Sequence, residues 1–222
     1  MDWPAFLLSL ELGALTLLVL LPIGVVLGRI LAWKRFPGRA MVEGLLALPL
    51  VMPPTVLGFY LLVSLGRDSP LGQAFEWFFG QTLAFNFWGL VVASVVANLP
   101  FAIQPMQRGF AAIPAEVREA AACCGLSPWK TLLRVELPLA WPGIVTALVL
   151  VLAHTLGEFG VVLMVGGNIP GQTKTIAISI YDRVQALDDY GAGIMSAALL
   201  GISLVMLAVI FGVSNKVEVR RD

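Results

Sequence analysis

The chain has 222 residues, of which 59% are hydrophobic and 13% charged, and its formal net charge is +0. Its mean hydropathy is +0.90. A soluble domain carries about 25% charged and roughly 45–50% apolar residues, so the apolar surplus must face lipid. No bulk positive charge argues for nucleic acid, and one His with two adjacent Cys, Cys123 and Cys124, offers no all-protein zinc set.

About 20 mostly apolar residues cross the hydrocarbon, and five segments qualify, predicting an all-α polytopic membrane protein with one domain filling residues 1–222. The first runs over about 6–33, too long for a signal peptide and with no Lys or Arg before Arg29. The second, about 42–64, contains Pro53-Pro54, which bends a helix and frees backbone carbonyls. Residues 66–85 hold Phe75, Trp77, Phe78 and Phe79, suited to an interfacial belt or a short re-entrant piece. The third span covers about 87–106, the fourth about 141–165 and the fifth about 193–213.

Short loops rich in Lys and Arg stay in the cytoplasm. Arg29, Lys34, Arg35 and Arg39 flank the first link, Arg108, Arg118, Lys130 and Arg134 the third, and Lys216, Arg220 and Arg221 the tail. That leaves only Arg67, Lys174 and Arg183 of the 14 basic residues on the other side. The N-terminus is therefore expected outside and the C-terminus inside.

Between the third and fourth spans the chain turns polar. Pro114 can open a helix, and Ala115 to Cys124 are mostly good helix formers. Gly125 follows where a left-handed cap is wanted. Ser127-Pro128 reads as an N-cap followed by proline at the first helical position, with Pro138 expected to stop this second helix. The result is a compact cytoplasmic knob over about 114–136.

The spacing Glu119-Ala120-Ala121, Gly125, Val135 and Leu137-Pro138 resembles the EAA loop of binding-protein-dependent ABC importers, with Val135 where isoleucine is common. The resemblance implies that these residues form the coupling helix docked on a separate ATP-hydrolysing subunit. This chain itself carries no GxxxxGK[ST] pattern, so ATP and magnesium would sit on that partner. "FPGRAMVEGLLALPLVMPPTVLGFYLL" and "LGEFGVVLMVGGNIPGQTKT" resemble the permeases of molybdate importers. Sulfate permeases share the Gly-Asn-Ile-Pro pattern, but Phe159 in place of tyrosine and the Pro53-Pro54-Thr55 run favour molybdate, with tungstate nearly isosteric. Some molybdate permeases carry a further N-terminal span that is not expected here. The resemblance further implies the type I importer fold, the bacterial inner membrane, a periplasmic molybdate-binding protein as partner, and a second permease chain. An identical copy is the economical choice for that second chain.

No catalytic residue is expected. An intramembrane enzyme would need a nucleophile–base or metal set, and HExxH, GxSxG and GxGD are absent; a passive channel would need no coupling loop. Polar groups facing lipid are expensive. Pro53, Pro54, Thr55, Thr155, Gly157 and Glu158, at membrane depth in spans two and four, are therefore expected to border the path. Thr155 and Glu158 are placed on one helix face, and His154 is read as a satisfied packing residue. Glu158 is expected to hold gate geometry and not to grasp an anion, which a carboxylate repels.

Overall fold

The computed structural model describes residues 1–218, with side chains through residue 212, so Lys216, Arg220 and Arg221 of the topology argument lie outside the described side chains. Among the described residues four helices are long and apolar enough to cross a membrane, or five if one sharply bent pair counts as a single span.

Helix α1 runs Trp3–Trp33, its N-terminus capped by the Asp2 carboxylate, which accepts from the Ala5 N–H at 3.2 Å. Leu8, Leu12, Thr16, Leu20, Gly24 and Gly28 recur at four-residue intervals and form its buried stripe. That stripe lies on α5, Phe87–Ala111. A Cβ at Gly24 would come within 2.6 Å of Met106 Sδ, and one at Gly28 within 3.0 Å of the Gln107 backbone nitrogen. Small residues let backbones approach where no hydrophobic gain over lipid drives association.

Span two departs from a kinked helix. α2, Arg39–Val51, and α3, Pro54–Leu65, are bent by 111° from a straight line at the break between them. A residue before proline is pushed out of the helical region. Met52 and Pro53 both precede a proline, and both are extended, at ψ 137° and 134°. Two successive extended residues break the helix instead of bending it. The short α4, Pro70–Phe79, follows, capped by Ser69.

After α5 come α6, Ala115–Cys123, and α7, Pro128–Thr131. Pro138 does not end this helix as expected. A π turn over Leu132–Glu136 carries α7 straight into α8, Leu137–Gly157, so one 30-residue rod runs from Pro128 to Gly157. The Leu137 N–H reaches back to the Leu132 carbonyl. The widened turn takes up the clash a proline ring otherwise makes with the carbonyl four residues earlier. α5 and α8 cross closely: a Cβ at Gly143 would lie 2.5 Å from the Pro105 carbonyl oxygen and 2.9 Å from Gly109 Cα.

The expected fourth span also ends early. Glu158 leaves the helix at ψ 122°, and a separate α9 covers Gly160–Gly166. α10, Ile176–Gln185, and α11, Asp189–Glu218, complete the described residues.

Candidate coupling knob and gate

The knob is built from local capping. Gly125 sits at φ +73°. Its N–H donates to the Ala122 carbonyl at 2.9 Å, and the Leu126 N–H donates to Ala121 at 3.2 Å, closing α6 in a Schellman arrangement. A side chain at φ near +70° costs about 1 kcal/mol or more, so glycine is the residue the turn needs. Ser127 Oγ then caps α7, accepting from the Lys130 N–H at 3.4 Å. Glu119, Ala120 and Gly125 are exposed, while Ala121 turns inward at 7% exposure. Pro138 is exposed and Leu137 half-buried, both within the continuous rod that begins at Pro128.

Beneath the knob, Met106, Phe110, Ile113 and Ala140 pack with Trp33, Val117 and Leu132. Two charged groups enter this layer. Glu136, 1% exposed, accepts a forked pair from Arg29, Nε at 2.6 Å and a terminal nitrogen at 3.0 Å. The Arg118 guanidinium lies 4.1 Å from the Trp33 ring centre. The sequence reading missed Glu136, because it stands inside a polar stretch where a carboxylate looks solvated.

At the other candidate site, the breaks in spans two and four meet. α9 lies against α3. A Cβ at Gly160 would come 2.6 Å from Pro54 Cβ, and one at Gly58 2.7 Å from Met164 Cβ. Pro53, Pro54, Thr55 and Gly157 are exposed, and Glu158 is 7% exposed. Glu158 Oε1 accepts from the Val161 N–H at 3.0 Å, satisfying one of the free donors that open α9. Its Oε2 lies 3.4 Å from His154 Nε2.

Thr155 does not join that site. The helix ends at Gly157, so Thr155 and Glu158 share no continuing face. Thr155, 1% exposed, instead accepts from Asn98 Nδ2 at 3.1 Å, and its hydroxyl lies 3.4 Å from Ser94 Oγ. Thr16 donates to Ser94 at 2.9 Å. Asn98 Oδ1 faces His154 Nδ1 at 3.1 Å, and the imidazole stacks on Phe101 with ring centres 4.3 Å apart. Thr16, Ser94, Asn98 and Thr155 thus form a buried polar knot joining α1, α5 and α8. Ser94 and Asn98, four apart in an apolar run, were the available signal.

On the opposite end of the fold, Asn168 Nδ2 donates to both Asp182 carboxylate oxygens at 3.0 Å, and Lys174 Nζ lies 2.6 Å from Oδ2. Burial alone would raise Asp182; the bonds from Lys174 and Asn168 and the ammonium charge outweigh it and hold the carboxyl below its ordinary range.

Comparison with known proteins agrees with this architecture. The family described as "Binding-protein-dependent transport system inner membrane component" matches residues 24–220. The molybdenum transport system permease protein ModB of Azotobacter vinelandii is 45% identical over 210 residues, covering 95% of this chain and 93% of that protein. A putative molybdenum transport system permease protein of Bacillus subtilis (strain 168), YvgM, is 38% identical, covering 90% and 88%. A probable sulfate transport system permease protein of Chlorokybus atmophyticus is 33% identical, covering 86% and 65%. The crystal structure of a bacterial ABC transporter involved in import of the acidic polysaccharide alginate superposes with a TM-score of 0.69 at 19% identity, covering 96% of this chain and 77% of that one, a likeness of fold. Matched over nearly its whole length, this transporter subunit belongs to the family of binding-protein-dependent transport system inner membrane components.

Proposed function

We propose that the chain is the membrane permease of an ATP-driven importer carrying molybdate across the bacterial inner membrane. The observation that carries this reading is the 45% identity to a molybdenum permease over 95% of the chain. The exposed, Gly125-capped knob supports an ATPase docking role for Glu119, Ala120, Gly125 and Pro138, with the inward Ala121 and half-buried Leu137 seating that surface. ATP and magnesium would then act on a separate chain, and a periplasmic molybdate-binding protein would deliver the anion. A second copy of the permease would complete the path. Helix α2 supports that last point, since none of its residues is fully buried and Met41, Leu45 and Val51 stand 72%, 58% and 81% exposed.

Where spans two and four both break, Pro53, Pro54, Thr55, Gly157 and Glu158 are proposed to border the gate, with Thr155 acting behind it through the buried knot. A path of this kind should bind its tetrahedral dianion weakly enough to release it. Sulfate is the second reading, favoured by the 33% identity to a sulfate permease. Uptake into proteoliposomes holding this chain, its ATPase and the binding protein decides between them. Labelled molybdate should accumulate only with ATP, with tungstate competing and sulfate not. ATP-independent flux, or preferential sulfate uptake, would overturn the reading.

A further inference from the structure

We propose that Arg29 and Trp33 at the inner end of α1 are positioning residues for coupling: they fasten the knob to α1 and make α1 the element that carries its movement across the membrane. The proposal rests on the reading of the knob as an ATPase dock.

Four observations carry it. First, Arg29 and Glu136 are 107 residues apart in sequence, yet meet in a two-pronged ion pair with Glu136 buried. A buried ion pair is seldom the most stable filling of its space, since well-packed apolar residues often do as well or better. What the pair does supply is a fixed direction and register between two helices, because a guanidinium fork meets a carboxylate in one plane. Second, Glu136 is the last residue of the π turn, a widened helical turn of a type frequent at functional sites.

Third, a second tie reaches the other arm of the knob. Arg118, the residue before Glu119 on α6, lies over the Trp33 ring, with Arg29 also near it at 5.3 Å from the ring centre. Arg118 Nε is buried with no hydrogen-bond partner among the described residues, and the guanidinium rests on the aromatic face. Trp33 in turn sets its edge against the fully buried Phe110. α1 therefore grips both arms of the knob, α6 through Trp33 and the π turn through Arg29.

Fourth, the far end of the same helix is also fastened. Ser9 Oγ accepts from the Ile176 N–H at 2.8 Å, and the Ser179 hydroxyl donates to Asp2 at 2.7 Å. Both partners belong to α10. One unbroken helix of 31 residues thus links the knob at its inner end to α10 at its outer end.

The test uses the full complex in proteoliposomes with molybdate as substrate. Glu136→Gln keeps shape but loses the charged fork, and Arg29→Lys keeps charge without the fork. Both should retain the ATPase at wild-type stoichiometry in detergent. Glu136→Gln should raise ATP hydrolysed per molybdate taken up by about tenfold, with Arg29→Lys in between. An unchanged ratio overturns the proposal, and so does a parallel loss of ATPase binding and uptake, which would make the pair a structural support only. Failure of the docking reading looks different: the wild-type chain would then retain no ATPase, or Gly125→Val would retain it fully.

Discussion

Glu158 is a carboxylate kept at the seam between two helices, and its job can be read from its two oxygens. One accepts the Val161 N–H that opens α9, and the other faces His154 on α8. Glu158→Gln still offers a carbonyl oxygen to Val161, so it should keep appreciable uptake. Glu158→Leu strands a buried donor, at about 1–3 kcal/mol, and should lose transport with a lower melting temperature of the purified protein. If Glu158→Gln abolished uptake while Glu158→Leu still assembled, the charge itself would be required. Beside it, a side chain at Gly160 would press on Pro54. Gly160→Val should insert normally yet lose most uptake, measured against membrane-embedded protein; full uptake would separate α9 from the gate. That Glu158 would find partners inside the fold was legible in the sequence, because a lone carboxylate in a mostly apolar span is expensive against lipid. The role of Thr155 was not. Residue spacing assigned it to the face of Glu158, but the helix stops between them, and Ser94 and Asn98 claim its hydroxyl.

At the scale of elements, the break in span two follows from the proline rule. The double proline was plain in the sequence, but a kink and a 111° break both satisfy it, and only the extended conformations of Met52 and Pro53 distinguish them. Removing both prolines frees those two residues to become helical. In Pro53→Ala/Pro54→Ala, α2 and α3 should fuse. Spin labels at positions 44 and 63, separated by about 16 Å across the present bend, should move to about 28 Å along one straight helix at 1.5 Å per residue. Uptake should be lost with them. An unchanged distance would mean that packing of α3 on α9, and not the prolines, holds the bend. The same limit explains the misjudged fourth span. Glu158 and the flanking Gly157 and Gly160 stand out within residues 141–165, but composition does not tell a carboxylate carried on a buried helix face from one that ends the helix. Nor does it reveal that a π turn extends the helix backwards through Pro138.

Across the whole molecule, orientation rests on charge and not on packing, which is why the topology needs its own measurement. The knob and the first link gather most of the Lys and Arg, and such loops remain in the cytoplasm. The knob also carries a natural probe, since Cys123 and Cys124 are both free and exposed. With the permease expressed alone in intact cells, an impermeant maleimide should leave both thiols unmodified, and permeabilising the membrane should expose them. In a Cys123→Ser/Cys124→Ser background, a cysteine replacing the exposed Asp68, in the loop between α3 and α4, should react from outside without permeabilisation. The two results together require an odd number of crossings between that loop and the knob. The 25 residues of α5 supply one such crossing, at about 1.5 Å per residue against a hydrocarbon core about 30 Å thick. Labelling of the knob from outside would invert the molecule. Labelling of both sites from one side would remove α5 as a crossing.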